Sequence, residues 1–296
     1  MGFSGSASVN ALLRLFTASL ILILYTALSC SVFAQPQVAA SIKPLQMIAA
    51  AITAGVSEPT LIIGAGQDPH HPALKPSERQ KLADADLVLW IGPSLESAFT
   101  QLLDRNSAAV ITAYDLITDA GLAVTDSNDP HLWLSTENGR AIAQALTAKL
   151  VTIDALNQEA YEKNLVDFFA ALDLLDKDIQ NLLSSPENKA FAVYHNAFTY
   201  YEKQFALQHV ASFTDNEEVQ PGIRKIMQIR EILSASEVSC LLLEPANNAE
   251  EIAQLTGREM NMVTIDVLGF AYPLTKTAYT DFMLDMSESI KRCIEE

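Results

Sequence analysis

Near the middle of the chain lies a long amphipathic helix that few folds can accommodate. Apolar residues recur at alternating intervals of four and three between about residues 157 and 183, at Tyr161, Leu165, Phe168, Leu172, Leu175, Ile179 and Leu182. This spacing forms one stripe along a helix roughly 40 Å long, at about 1.5 Å per residue. Such a stripe predicts a helix packed along two lobes of its own chain or, less favoured, a coiled-coil dimer.

Short apolar runs and helical segments alternate on both sides of this helix, a pattern typical of α/β layers. In the first half, strands are predicted at residues 38–41, 60–63, 87–91 and 110–113, and helices at 44–54, 77–83, 96–103 and 136–153. In the second half, strands are predicted at residues 191–194, 210–213, 239–243 and 262–265, and helices at 196–205, 223–233, 249–259 and 280–294. The predicted fold class is α/β, with two Rossmann-like lobes (residues 35–154 and 187–296) joined by a long rigid helix within residues 155–186.

The first 34 residues have the features of an exported signal peptide. Arg14 is the only charged residue before an apolar run at residues 15–28, and a small-x-small site ends at Ala34. The run is too short to span a membrane comfortably, so an uncleaved anchor is less favoured. We predict cleavage after Ala34 and a periplasmic location. A lipoprotein attached through Cys30 fits less well, because the residues before it do not match the usual pattern.

The net charge limits the classes of partner that this chain can bind, and the cysteine content indicates the cellular compartment. Acidic residues outnumber basic residues 36 to 19, which gives a formal net charge of −17. An excess of this size argues against nucleic acid or an anionic membrane surface as a partner. Removal of residues 1–34 would leave one pair of cysteines, Cys240 and Cys293, in an oxidising compartment. A disulfide between them would stabilise the fold by about 4 kcal/mol. Two buried free thiols are the alternative.

The placement of the histidines indicates a possible metal site between the lobes. His195 and Asp266 directly follow predicted strands of the second lobe. His70 lies in a loop after a first-lobe strand, and His131 lies in a turn before a helix. Ligands of open α/β sheets bind beyond the carboxyl ends of the strands, so these four side chains could meet around one ion. The intervals contain no compact metal motif, and structural histidines at strand ends are an equal alternative.

A resemblance to a known family covers nearly the whole chain after residue 34. It is carried by ASIKPL at 40–45, HHPALKPS at 70–77, ADLVLWIGP at 85–93, HLWL at 131–134, YHNAF at 194–198, QPG at 220–222, LEP at 243–245 and TIDVLG at 264–269. These segments resemble, in the same order, the metal-binding solute-binding proteins of ABC uptake transporters (cluster A-I). Within that family the chain is most similar to the periplasmic zinc-binding type.

The resemblance implies a monomeric protein that captures zinc and delivers it to a membrane permease. The family's metal ligands fall on His70, His131, His195 and Asp266, with water as the alternative to the aspartate, and its paired cysteines fall on Cys240 and Cys293. Histidine at position 195 favours zinc, because members that bind manganese or iron tend to carry glutamate there. The resemblance implies no nucleic-acid partner and no enzyme activity.

Several residues depart from the family pattern or match no ligand. Residues 125–130 stand where zinc-type relatives often carry a long histidine-rich loop, and they contain no histidine. No ion-scavenging loop is therefore expected. His71 is interpreted as pointing outward, and His209 as structural. Glu244 either orients a metal ligand from behind or caps a strand end.

Other functions are consistent with the same residues. A manganese or iron carrier would use the same scaffold, and a surface adhesin could be built on it. A zinc-dependent hydrolase would activate water at an open coordination position. It also needs a general base, and no acidic residue stands at a recognisable offset from the histidines. Zinc capture is therefore the favoured function.

Overall fold

The computed structural model describes residues 35–105, 107–123, 129–184, 190–214, 221–236, 238 and 240–295. The predicted signal peptide at residues 1–34 and its cleavage site lie outside this part of the chain. Pro36–Glu296 forms one compact unit. Within the described residues, no helix combines the length and the apolar character that crossing a bilayer requires.

Two four-stranded parallel sheets form the centres of the two lobes. The first contains β1 (Val38–Ala40), β2 (Thr60–Leu61), β3 (Leu87–Trp90) and β4 (Ala109–Thr112) in the order β2-β1-β3-β4. The second contains β5 (Phe191–His195), β6 (His209–Thr214), β7 (Cys240–Leu243) and β8 (Asn261–Thr264) in the order β6-β5-β7-β8. Every residue of β3, β5 and β7 is buried, as expected for central parallel strands covered on both faces. The predicted fold class is confirmed.

Ten α-helices among the described residues cover and connect these sheets. They are α1 (Lys43–Thr53), α2 (Pro76–Asp84), α3 (Thr100–Leu103), α4 (Ala113–Asp119), α5 (Thr136–Ile153), α6 (Gln158–Leu183), α7 (Thr199–Phe205), α8 (Ile223–Ala235), α9 (Ala249–Thr256) and α10 (Ala278–Glu295). Short 3-10 turns lie at Ser97–Phe99, Leu132–Leu134 and Ala155–Asn157. The side chain of Ser135 caps α5 and that of Asn248 caps α9, which satisfies amide groups that helix starts leave open.

Most predicted boundaries shift by one to three residues in the structure, and three of the differences have a clear local cause. The strand predicted at 110–113 ends at Thr112, because Ala113 begins α4, a helix that the apolar run concealed. The helix predicted at 196–205 begins only at Thr199, after the turn that follows His195. The helix predicted at 96–103 divides into a 3-10 turn and the single turn of α3.

The long helix α6 has 26 residues and packs on its own chain, against α1, α5 and α10. Most of the predicted stripe is buried, although Leu165 is half-buried and Leu183 replaces Leu182 as the buried residue at the end. The side-chain amide of Asn164 donates to the carbonyl oxygens of Ile52 and Ala54, at 2.8 and 2.9 Å, where α1 ends. The helix therefore joins elements of both lobes, as predicted.

The predicted disulfide is present. Cys240, the first residue of β7, bonds to Cys293 in the last turn of α10, and their Cα atoms are 5.3 Å apart. Both cysteines are fully buried. The bond fastens the final helix to the centre of the second sheet.

Candidate metal centre

His195 is the last residue of β5 and is almost completely buried. Its Nδ1 lies 2.7 Å from Oε1 of Glu244, the residue that directly follows β7. Strands β5 and β7 are parallel neighbours, so their carboxyl ends lie side by side. Because a carboxylate accepts hydrogen bonds, this contact places the imidazole proton on Nδ1 and makes Nε2 the atom that can coordinate an ion.

His131 lies immediately before the 3-10 turn Leu132–Leu134. The carboxylate of Asp129 contacts both its backbone and its ring. Oδ1 of Asp129 accepts from the backbone N–H of His131 at 2.9 Å and lies 2.7 Å from its Nδ1. Burial alone would raise the pKa of Asp129. The hydrogen bonds and charge of His131, with a bond from Thr199, outweigh burial and hold this pKa below its ordinary value. A second imidazole is thus oriented with its Nε2 directed away from a carboxylate.

His70 is carried by the loop between β2 and α2 and is half-buried. Its backbone N–H donates to Oδ1 of Asp68 at 2.8 Å, and Oδ2 of the same aspartate lies 3.4 Å from Nδ1 of His71. The side chain of His71 is 59% exposed, which agrees with its interpretation as an outward-pointing residue. Asp68 therefore shapes the loop so that consecutive histidines take different directions.

The structure brings His70, His131 and His195 together. Their potential ligand atoms all lie within 4.8 Å of one another. The centroid of the His131 ring is 4.7 Å from that of His195 and 5.5 Å from that of His70, and the His70 and His195 centroids are 6.0 Å apart. Three imidazoles at this separation can share one ion with bonds of about 2.0–2.1 Å after small adjustments.

Asp266 follows β8 at the same edge of the second sheet, but it does not join the three-histidine group. Its Oδ1 accepts from the N–H of Leu268 at 3.0 Å, and its Oδ2 accepts from the N–H of Phe270 at 2.7 Å. These bonds fix the carboxylate in the turn after the strand. The assignment of Asp266 as a fourth ligand therefore stays a proposal.

Two carboxylates complete the site, and sequence reasoning identifies only one of them. The sequence leaves Glu244 open between two roles, and its contact with His195 favours the orienting one. Sequence reasoning misses Asp129 as a partner, although its position two residues before His131, next to a proline, is a spacing that favours an Asx-type turn. His209 lies outside the group, with its Nδ1 2.7 Å from Oε1 of Glu202, in agreement with its structural interpretation.

A further buried carboxylate lies at the carboxyl edge of the first sheet. Glu96 accepts hydrogen bonds from the hydroxyl of Ser41, which follows β1, and from the N–H of Gly92, after β3, at 3.0 Å. Burial raises the pKa of Glu96 to about 7, and these donors only partly oppose that effect. The side chain stabilises the strand ends of the first lobe.

Comparison with known proteins places these features in a family. The family described as zinc-uptake complex component A, periplasmic (ZnuA) matches residues 38–293. The chain is 29% identical over 294 residues to the high-affinity zinc uptake system protein ZnuA of Yersinia pestis, covering 88% of this chain and 92% of that protein. It is 30% identical over 196 residues to the manganese ABC transporter substrate-binding lipoprotein PsaA of Streptococcus anginosus, covering 62% of this chain and 63% of that protein.

The fold has solved counterparts. The structure of the periplasmic zinc binding protein TroA from Treponema pallidum is similar with a TM-score of 0.76 and 16% sequence identity, over 88% of this chain and 99% of that one. The family match extends across both sheets and all three clustered histidines. The chain therefore belongs to the ZnuA family of periplasmic zinc-uptake components.

Proposed function

We propose that this protein captures zinc in the periplasm and delivers it to the permease of an ABC-type zinc importer. The observation that carries the proposal is the convergence of His70, His131 and His195 from both halves of the chain. Neutral imidazole is a preferred zinc ligand, and three of them suit a tetrahedral ion with one further position. Asp266 or water would fill that position. Zinc is here the transported cargo.

The paired carboxylates support high affinity. Asp129 and Glu244 each lie 2.7 Å from the Nδ1 of one imidazole. Partners of this kind fix ring orientation and increase ligand basicity, and their loss usually weakens metal binding by about 10–100-fold. Two of the three nitrogen ligands are therefore pre-oriented before an ion arrives, which lowers the entropic cost of binding.

A manganese carrier is the second candidate, since one relative is named for manganese transport. Manganese favours carboxylate, carbonyl and water ligands, whereas the clustered ligands of this chain are three imidazoles. Zinc is therefore the better match. A hydrolase would need a carboxylate that can act as a base, and both carboxylates next to the imidazoles are engaged in orienting them.

Export is the second part of the proposal. Residues 1–34 would direct the chain across the inner membrane, and cleavage after Ala34 would release a soluble protein that begins at Gln35. The expected mature N-terminus can be read directly from protein isolated from the periplasm. Attachment of lipid at Cys30 would instead give a membrane-bound protein that starts at that cysteine.

The test is metal analysis of the mature protein followed by competitive titration with zinc and manganese. We expect one tightly bound zinc per chain and at least 100-fold weaker manganese binding. His131→Ala should weaken zinc binding by more than 100-fold, since it removes a ligand rather than an orienting partner. The matched control is His209→Ala, which removes a histidine with the same kind of carboxylate contact outside the centre. Equal effects of the two variants, or tighter binding of manganese, would overturn the proposal.

A further inference from the structure

The segment that carries His131 precedes α6 in the chain, yet it is fastened to elements that follow α6. Nε1 of Trp133 donates to the carbonyl oxygen of Val267 at 2.8 Å, in the loop after β8. The hydroxyl of Tyr279, in the first turn of α10, donates to the carbonyl oxygens of Trp133 at 2.7 Å and Ser135 at 3.1 Å. Both aromatic rings are fully buried. These bonds are therefore shielded from competing water.

Helix α7 adds contacts from another direction. Oε1 of Gln204 accepts from the hydroxyl of Ser135 at 2.8 Å and from the N–H of Thr136 at 2.9 Å. The hydroxyl of Thr199 bonds to Asp129, the carboxylate that orients His131. The turn before His131 and the helix start after it are thus both held by the second lobe.

Close packing reinforces these hydrogen bonds. A Cβ atom on Gly139, in the first turns of α5, would lie 3.1 Å from the hydroxyl oxygen of Tyr279. A side chain at this position would force the tyrosine ring to move by a few tenths of an ångström, so glycine favours this close approach of α5. The ring of Tyr279 also packs against Phe168 on α6, with centroids 6.0 Å apart. The tyrosine therefore packs against both α5 and α6 while its hydroxyl bonds to the His131 segment.

His70 is positioned differently. Its loop is shaped by bonds between nearby residues, such as the N–H of Gly64 to Oε1 of Gln67 at 2.8 Å and the N–H of His70 to Asp68. The ring of His131 lies closer to that of His195 than to that of His70, at 4.7 against 5.5 Å. The ligands therefore differ in what supports them.

We propose that Tyr279 is a positioning residue for metal binding, which fixes His131 against His195 by fastening residues 131–135 to the second lobe. The second lobe then carries a two-imidazole half of the site, and the His70 loop adds the third ligand. The proposal rests on the proposed zinc-binding function. Tyr279 does not coordinate the ion. It acts through the backbone carbonyl groups of Trp133 and Ser135.

Removal of this hydroxyl takes its shorter hydrogen bond, at 2.7 Å, from the buried carbonyl oxygen of Trp133, whereas the carbonyl oxygen of Ser135 still accepts from the N–H of Gly139 at 2.9 Å. The backbone after His131 must then shift to recover hydrogen bonds, because unpaired buried acceptors are unfavourable. A shift of a few tenths of an ångström at the imidazole is enough to weaken coordination, since zinc–nitrogen bonds have a narrow range of lengths. The expected loss for Tyr279→Phe is about 10-fold in zinc affinity, typical of supporting residues.

A double-mutant cycle on the mature full-length protein tests the proposal. Zinc affinity is measured by competitive titration for the wild type, Tyr279→Phe, His131→Ala and the double variant. If the tyrosine acts through His131, Tyr279→Phe should cost about 10-fold in the wild type and less than about 2-fold in the His131→Ala background. A general loss of stability would instead weaken binding equally in both backgrounds.

The matched control is Tyr201→Phe. Tyr201 is also fully buried, and its hydroxyl donates to Oγ of Ser287 at 2.7 Å, a bond that involves no residue of the His131 segment. It should change zinc affinity by less than about 2-fold. The absorption bands of the cobalt-substituted protein supply a second readout, and we expect them to shift in Tyr279→Phe and to stay unchanged in Tyr201→Phe.

Three outcomes would overturn the inference: an unchanged affinity of Tyr279→Phe, an equal loss in both backgrounds, or the same loss in Tyr201→Phe. Gln204→Ala, which removes an acceptor from the half-buried side of the same segment, serves as an independent second variant with the same expected dependence on His131. Failure of the wild type to bind zinc would refute the proposed function instead, so the two failures are distinguishable.

Discussion

Replacement of Glu244 by glutamine isolates the contribution of a carboxylate to the metal centre. Oε1 of Glu244 lies 2.7 Å from Nδ1 of His195, and the two side chains are 7% and 1% exposed. The amide that Glu244→Gln introduces keeps an oxygen acceptor of the same shape but loses the negative charge. We therefore expect the orientation of the ring to persist while its basicity, and the local attraction for a divalent cation, decrease.

The magnitude follows from hydrogen-bond energies. A bond to a charged group contributes about 1.5–3 kcal/mol, and a neutral one about 1 kcal/mol. The difference, about 0.5–2 kcal/mol, corresponds to a loss of zinc affinity of roughly 2- to 30-fold for Glu244→Gln. Glu244→Ala removes the acceptor as well, and we expect a loss of up to about 100-fold. The ranking of the two losses of zinc affinity, larger for Glu244→Ala than for Glu244→Gln, is as informative as their magnitudes.

Competitive titration with a chromophoric chelator at neutral pH measures both losses. Glu202→Gln is the matched control, because Glu202 makes the same contact with Nδ1 of His209, at 2.7 Å, outside the metal centre. That variant should bind zinc like the wild type. Unchanged affinity of Glu244→Gln, or an equal loss in Glu202→Gln, would refute the reasoning that the carboxylate acts through His195.

Two further predictions concern stability. The disulfide links residues 53 positions apart in the sequence. Replacing Cys240 and Cys293 together by serine should therefore lower the free energy of unfolding by about 4 kcal/mol, measured by urea titration. A loss below about 1 kcal/mol would contradict the chain-entropy account. Burial raises the pKa of Glu96 from 4.5 to about 7, so its contribution to stability is present below pH 4.5 and is lost as the pH rises through 7. The stability of Glu96→Gln relative to the wild type should therefore increase by about 3 kcal/mol between pH 4 and pH 8, and a constant difference would be the contrary result.

Much of the fold could be predicted from local patterns. All eight predicted strands are present, because buried parallel strands read as short apolar runs between turn residues. The stripe on α6 identifies the face that packs on both lobes. The start of α4 could not be predicted, because Ala113 continues the apolar run of β4 without a recognisable capping residue.

The metal centre was predictable as a set of residue types but not as a geometry. Strand ends indicate His195, and the family resemblance indicates His70 and His131. The contact between Trp133 and Val267 joins residues 134 positions apart, and no local pattern reports it. Likewise, the backbone N–H groups that engage Asp266 depend on the turn after β8. Such tertiary contacts, rather than residue identity, determine which ligand side chains are oriented for coordination before an ion binds.

The packing of α6 limits the ways in which an ion can leave. One continuous apolar core runs from the first sheet past Phe168 and Leu172 to Tyr279 on the final helix. Separating the two sheets would expose these side chains to water, at a free-energy cost of about 1.5–3 kcal/mol for each side chain. Loops at strand ends open at much lower cost. We therefore expect cargo release to be governed by the stiffness of a few loops, with the two halves of the molecule moving little.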